Sequence, residues 1–260
     1  MLTNYHTHHY RCKHAGGTIE DYVVKAIKEG YAEIGMSCHV PYENFPEVGT
    51  NQRMEFEDLP TYFEEISDLQ KKYPEIKILK SVECEYFPKI HQYLEELAEQ
   101  TDYLILAGHF IEKDGIYKDA FSFTEPWQLE VYAEQLEIAM ATGFFKFLAH
   151  SDLFMIFYPQ WDETCEKITH QIAQAANKYD MLLEVNANGL RYQNKPYPKK
   201  EFWSIIATCY PETKVIVNSD CHDPELLNDD YMKKARQMAE DLNLNIVTQL
   251  GTTSSYPNEQ

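Results

Sequence analysis

The chain has no run of about 18 apolar residues, so its sequence offers no transmembrane helix. Its first residues, MLTNYHTHHYRCKHAGG, contain no apolar core of a secretory signal, and the chain is therefore read as cytoplasmic. The six cysteines (Cys12, Cys38, Cys84, Cys165, Cys209, Cys221) form no CxxC pair, which makes free thiols the default. Positive charge is the scarcest commodity. Lysine and arginine total 23 against 42 acidic residues, a net charge of −19. That argues against broad nucleic-acid or anionic-membrane surfaces, which need clustered basic side chains. It also sets a condition on any anionic substrate: something locally positive must overcome the field. Only four arginines exist to help, Arg11, Arg53, Arg191 and Arg236. There is no internal repeat, low-complexity tract or evident linker.

What is present is alternation. Short apolar runs, EIGMS, IKILKSVE, YLILAG, FKFLA, MLLEVN and KVIVNS, recur between longer amphipathic stretches. Near-continuous apolar runs suit strands covered on both faces, as in a parallel sheet. Strand ends are expected near Tyr5, Ser37, Glu83, Gly108, Ala149, Asn186 and Ser219, and LNIVTQL could add a last strand. TIEDYVVKAIKEG is the clearest helix, with Thr18 as its cap, Asp21 in the capping-box position and Gly30 past its end. LPTYFEEISDLQKKY, KIHQYLEELAEQ, TEPWQLEVYAEQLEIAMATG and ETCEKITHQIAQAANKY are further helices. Strand and helix alternating about seven times implies an α/β barrel, read as one domain over residues 1–260.

The histidines lie where such a barrel would use them. A tag would explain four histidines in the first fourteen residues, but a tag is self-contained. Here His6 and His8 follow the first strand, His39 the second and His109 the fourth. Glu83 ends the third strand, His150 and Asp152 follow the fifth, and Asp220 and His222 follow the seventh. Active sites of α/β barrels sit at the C-terminal strand ends. His6/His8, His150/Asp152 and Asp220/His222 are i, i+2 pairs, whose members point the same way on extended backbone. By the same rule Cys38, Cys84 and Cys221, each beside a proposed ligand, should face away as small buried thiols; a thiolate–zinc site is the alternative. Imidazole with carboxylate favours zinc, manganese or iron. These six histidines and His14 downstream, with Glu83 and Asp220, exceed one tetrahedral ion, so two or three ions are expected, with Glu83 bridging. His91 and His170 fall within helices and His9 breaks the alternation; none of the three is read as a ligand.

HTH at the start with His14 downstream, SCH at 37–39, VECEYF at 82–87, AGH at 107–109, AHSDL at 149–153 and SDCH at 219–222 resemble the polymerase-and-histidinol-phosphatase (PHP) superfamily. HAGGTIEDYV, LEVNANGLRY and KPYP resemble its monofunctional histidinol-phosphate phosphatases. The resemblance implies a distorted (β/α)7 barrel with a trinuclear metal centre. Its first ion would take His6, His8, Glu83 and Asp220. The second would share Glu83 and add His109 and His150, and the third would take His14, His39 and His222. Two positions depart from the family pattern. Asn4 stands where aspartate is usual, and Cys38 stands in place of an acidic residue.

The chemistry so implied is hydrolysis of a small phosphomonoester, L-histidinol phosphate, to histidinol and phosphate, as in histidine biosynthesis. A hydroxide bridging two divalent ions would attack phosphorus, and the ions would supply the positive field that the acidic chain lacks. Arg191, after the sixth strand, is the first candidate to clamp the phosphoryl group, and Arg53, in the loop after His39, the second. Arg191 joins Asp220 and His222 as the expected catalytic residues, and Asp220, His222 or a metal-bound water would protonate the leaving alkoxide. Asp152 would orient His150 or a water, and an acidic rim could favour the substrate's cationic amine. The alternatives are a PHP phosphoesterase for another monoester or nucleotide, a metal-dependent amide or ester hydrolase, and a metal-binding regulatory module.

Overall fold

The computed structural model describes residues 1–43, 45–49, 51–192 and 197–251. Eight parallel strands form one curved sheet: β1 (Leu2–Asn4), β2 (Tyr31–Met36), β3 (Lys77–Cys84), β4 (Tyr103–Leu106), β7 (Phe145–Leu148), β8 (Leu182–Asn186), β9 (Lys214–Asn218) and β10 (Asn245–Ile246), in that order across the sheet. Strands β5 (Phe110–Lys113) and β6 (Ile116–Asp119) make a separate antiparallel hairpin directly after His109. Helices α1 (Ile19–Lys28), α2 (Leu59–Lys72), α3 (His91–Gln100), α4 (Pro126–Ala141), α5 (Glu163–Lys178), α6 (Lys200–Cys209) and α7 (Asp230–Asp241) link the strands. Among the described residues no helix is long and apolar enough to cross a membrane.

The expected barrel is present in distorted form. β1 and β9 meet through side chains more than through a ladder. Tyr5 N donates to Asn218 Oδ1 at 2.9 Å and Ser219 N to Asn4 Oδ1 at 2.6 Å. Beyond the strands, Thr7 bridges Cys221, and His8 N donates to Cys221 O at 3.0 Å. Asn4 Nδ2 also donates to His6 O at 3.1 Å, which an aspartate could not do. The asparagine that departs from the family pattern thus ties the seam shut on both sides.

The apolar runs explain the layers. Every residue of β4 and β8 is buried, because one face packs on helices and the other fills the barrel. Tyr5, Leu79, Tyr103, Ile105, Phe147 and Ile216 occupy the barrel interior. Gly35 permits this packing: a Cβ there would stand 1.8 Å from the Tyr103 hydroxyl, which donates to Tyr5 O at 2.6 Å. The Phe147 ring lies 6.2 Å from the His6 ring, so the strand-end cluster stands on a dry aromatic floor.

Helix α1 carries the expected capping box of Thr18 and Asp21, and Gly30 has φ +77°. Helices α6 and α7 and the β5–β6 hairpin are additions to the expected elements. LNIVTQL joins the sheet only through Asn245 and Ile246 on β9. The KPYP segment lies partly outside the described residues.

Candidate metal centre

The C-terminal ends of the strands open into a cavity of about 450 Å³. Glu83 ends near its centre with its side chain 1% exposed. One carboxylate oxygen, Oε2, faces His6 Nε2 at 3.4 Å, His8 Nε2 at 3.4 Å and His39 Nδ1 at 2.9 Å. The other, Oε1, faces His150 Nε2 at 3.2 Å and His109 Nε2 at 3.6 Å. Asp220 Oδ1 completes the first group, 3.1 Å from His8 Nε2 and 3.5 Å from His6 Nε2. His14 and His222 meet at 3.0 Å through their Nε2 atoms, and the His8 ring lies 4.3 Å from the rings of both His222 and His39. All nine side chains singled out in the sequence therefore gather at one mouth, with His39 standing against Glu83 and His109 as well as against His8 and His222.

These groups approach a common space, and several of them find no hydrogen-bond partner there. Both Glu83 oxygens, Asp220 Oδ1 and His39 Nδ1 are buried without a hydrogen-bond partner. Orphaned buried acceptors are costly unless something answers them, and a convergent set of imidazole nitrogens and carboxylate oxygens suits divalent transition ions. The residues present fit such a group. Burial works against the Glu83 carboxylate, yet His39, His6 and His109 hold its pKa well below the usual range. Burial likewise opposes ionised Asp220, but His6 and His8 hold it well down. Burial, with His8 and His14 nearby, lowers His222 to about 3, leaving the neutral imidazole that ligation requires.

A shell of partners orients the ligands, and most of it escapes sequence reasoning. Glu184 on β8 is fully buried. Its Oε1 accepts from His6 Nδ1 at 2.9 Å and Asn218 Nδ2 at 2.9 Å. Its Oε2 accepts from His150 N at 2.7 Å and Asn186 Nδ2 at 2.7 Å. Glu85 does the same for His109, accepting from its Nδ1 at 2.9 Å and its backbone N–H at 3.0 Å. Asn186 and Asn188 donate to Asp220 Oδ2 at 3.1 and 3.3 Å, which leaves Oδ1 for the centre. The signal was the i, i+2 alternation itself. Glu83-x-Glu85 and Glu184-x-Asn186 follow it at the ends of β3 and β8, whereas Asn188 sits in the helical turn beyond β8.

Two expectations are corrected. Arg191 does not line the cavity. Its Nε donates to Asp229 Oδ2 at 2.8 Å, Nη1 to Ser219 O at 2.6 Å, and Nη2 to Ser219 Oγ and Leu226 O, each at 2.9 Å. Asp229 also caps α7 through Met232 N. The guanidinium is spent on clasping the β8 loop to the end of β9 and the start of α7. Arg191→Ala should therefore cost about 3 kcal/mol of stability, read as a lower thermal midpoint, by leaving Asp229 unpaired. Substrate KM should stay near the wild-type value; a stable variant with KM raised roughly tenfold would return Arg191 to the substrate.

Asp152 is the second correction. His150 has φ +29°, so the backbone is not extended there and the i, i+2 rule fails. Asp152 turns away to accept from Lys199 N at the start of α6. Burial raises its pKa to about 7. Cys38 is buried and turns from His39 as expected, its sulfur lying near Cys12. The two sulfurs and a His8 nitrogen lie within 4.8 Å of one another. Cys84 and Cys221 are buried, the Cys84 thiol donating to Val82 O.

Arg53 is the arginine that lines the cavity. It is 5% exposed and held by Val48 O at 3.1 Å, Val40 O at 3.3 Å and Glu85 Oε1 at 3.4 Å, over the Tyr42 ring. His9 is buried against Tyr62 outside the cluster, and His91 and His170 hydrogen-bond Tyr86 and Tyr210.

Fold and site together define a class: an α/β barrel whose strand ends gather a histidine–carboxylate cluster suited to several divalent ions. The family model described as PHP domain matches residues 4–188, and the chain belongs to the PHP domain family. Asp220 and His222 lie beyond that stretch. A Deinococcus radiodurans protein described as "Probable histidinol-phosphatase" is 24% identical over 242 residues, covering 86% of this chain and 87% of the relative. The crystal structure of hisK from Listeria monocytogenes superposes with a TM-score of 0.73 at 21% identity, covering 89% of this chain and 99% of that one. Histidinol phosphate phosphatase from Lactococcus lactis, crystallised with zinc, L-histidinol and phosphate, gives 0.72 at 18% identity, with 95% of both chains covered.

Proposed function

We propose that the chain is a metal-dependent phosphomonoesterase that hydrolyses L-histidinol phosphate to L-histidinol and phosphate. The observation that carries this is Glu83, a buried carboxylate whose two unpartnered oxygens face two different sets of histidines. That is the arrangement a bridging ligand needs. Three divalent ions, of zinc, manganese or iron, would be held by His6, His8, Glu83 and Asp220; by Glu83, His109 and His150; and by His14, His39 and His222. Such ions supply Lewis acidity toward phosphoryl oxygens and lower the pKa of water.

The chain's own residues do the rest. Arg53, locked by its carbonyl and Glu85 contacts, offers its remaining N–H groups to a phosphoryl oxygen at the cavity wall. Its fixed position means little side-chain entropy is lost on binding. Glu184 and Glu85 keep the Nδ1 protons of His6 and His109 engaged, so that both rings present Nε2 to the centre. His222 and Asp220 line the cavity, but both are held deprotonated, so the proton for the leaving alkoxide would come from water in the cavity. The zinc, L-histidinol and phosphate in the Lactococcus lactis structure support the substrate assignment.

A panel of phosphomonoesters and diesters, assayed for phosphate release with zinc, manganese and iron, tests the reading. L-Histidinol phosphate should be the preferred substrate, and diesters should be poor. Robust turnover of a different monoester with none of histidinol phosphate would overturn the substrate.

A further inference from the structure

Among the described residues the cavity wall carries one carboxylate besides Glu83 and Asp220, that of Asp119. The β5–β6 hairpin puts it there. Phe110 pairs with Asp119 across the ribbon, and Ala120 N donates to His109 O at 2.7 Å, pinning the hairpin's end to the metal-centre strand. Phe110 and Phe121 line the cavity beside it, and the Phe121 ring is stacked 6.4 Å from the His109 ring. Asp119 Oδ1 accepts from Phe121 N at 2.7 Å. Among the described residues no lysine, arginine or histidine forms an ion pair with Asp119. Burial raises its pKa above the ordinary aspartate value.

A lone carboxylate is a liability in a pocket meant for a phosphate dianion, since like charges in a low-dielectric cleft repel. It becomes an asset if the substrate carries a cation at its other end. Two phenyl rings beside it add apolar contact and faces that attract organic cations. We propose that Asp119, with Phe110 and Phe121, forms the subsite for the protonated amine or imidazole end of the substrate. It selects phosphomonoesters with a cationic tail and rejects anionic ones. This rests on the histidinol-phosphate reading, and it places selectivity on a hairpin outside the metal-ligating strand ends.

The test compares metal-loaded wild-type, Asp119→Asn and Asp119→Glu proteins on L-histidinol phosphate, ethanolamine phosphate and ethyl phosphate, with metal content and thermal midpoint measured for each. Asp119→Asn should raise KM for L-histidinol phosphate by roughly tenfold or more, through loss of a partly desolvated charge pair. Ethanolamine phosphate should lose less, and ethyl phosphate least, while kcat moves little. Asp119→Glu should retain part of the discrimination. An equal loss on all three esters would overturn the subsite and make Asp119 a brace for His109. A wild-type preference for another cationic monoester, erased in Asp119→Asn, would uphold the subsite and overturn only the substrate's name. A wild-type preference for neutral or anionic monoesters would overturn both.

Discussion

Glu83→Ala is expected to abolish phosphate release and to remove at least one metal ion per chain. The loss should exceed by far the roughly 10–100-fold that removal of an outer partner causes. The physical reason is the position of the carboxylate. It is buried at the end of β3, with Oε2 turned to His6, His8 and His39 and Oε1 turned to His109 and His150. Among the described residues no other carboxylate forms ion-pair contacts with imidazole nitrogens of both groups, so nothing substitutes for it. Removing it also leaves two sets of imidazoles facing one another across a gap with no anion between them. Metal content by elemental analysis and turnover in the same preparation check the expectation. Glu83→Gln keeps the volume and should show the same loss of metal with less change in thermal midpoint. Full metal content with normal turnover would refute the bridging role.

Glu184→Ala should produce the second-largest effect, this time on both stability and metal affinity. Four donors from β1, β7, β8 and β9 or the loops just beyond them converge on this one buried carboxylate: His6 Nδ1, His150 N, Asn186 Nδ2 and Asn218 Nδ2. Alanine leaves all four without their acceptor. Each orphaned buried group costs about 1–3 kcal/mol, and partial rescue by water brings the sum to about 3–5 kcal/mol. Because His6 loses the group that fixes its ring, metal affinity should also fall roughly 10–100-fold. Denaturant unfolding of the metal-free protein isolates the first effect, and competition against a chelator isolates the second. A stability loss with unchanged metal affinity would reduce Glu184 to a seam residue. Unchanged values of both would remove it from the site.

Much of this architecture is legible in the chain as written. The runs that became β2, β3, β4, β7, β8 and β9 are mostly apolar because both their faces are largely covered, so their ends could be located from composition. The ligands follow from those ends, since a strand end is where a barrel exposes functional groups. Helices α6 and α7 were less legible. KEFWSIIATC has no side-chain cap, and DYMKKARQMAED is strongly polar with only Met232, Ala235 and Ala239 buried. The β5–β6 hairpin was missed because its four-residue strands carry charged residues at half of their positions.

What the sequence by itself determined is the set of chemical groups and the end of the barrel at which they gather. Strand periodicity and the order of the motifs carry that information locally, within a few residues of each ligand. What only the tertiary structure decided is which groups face the cavity. On paper Arg191 is the first candidate clamp and Arg53 the second. Asp229, 38 positions downstream of Arg191, claims one guanidinium, whereas Val40, Val48 and Glu85 hold the other at the cavity wall. Asp152 looked like a partner of His150 until the left-handed backbone at His150 turned it toward α6. The orientation of a polar side chain depends on which distant donor or acceptor satisfies it first. That competition is settled by packing between segments far apart in the chain, and local spacing carries no record of it.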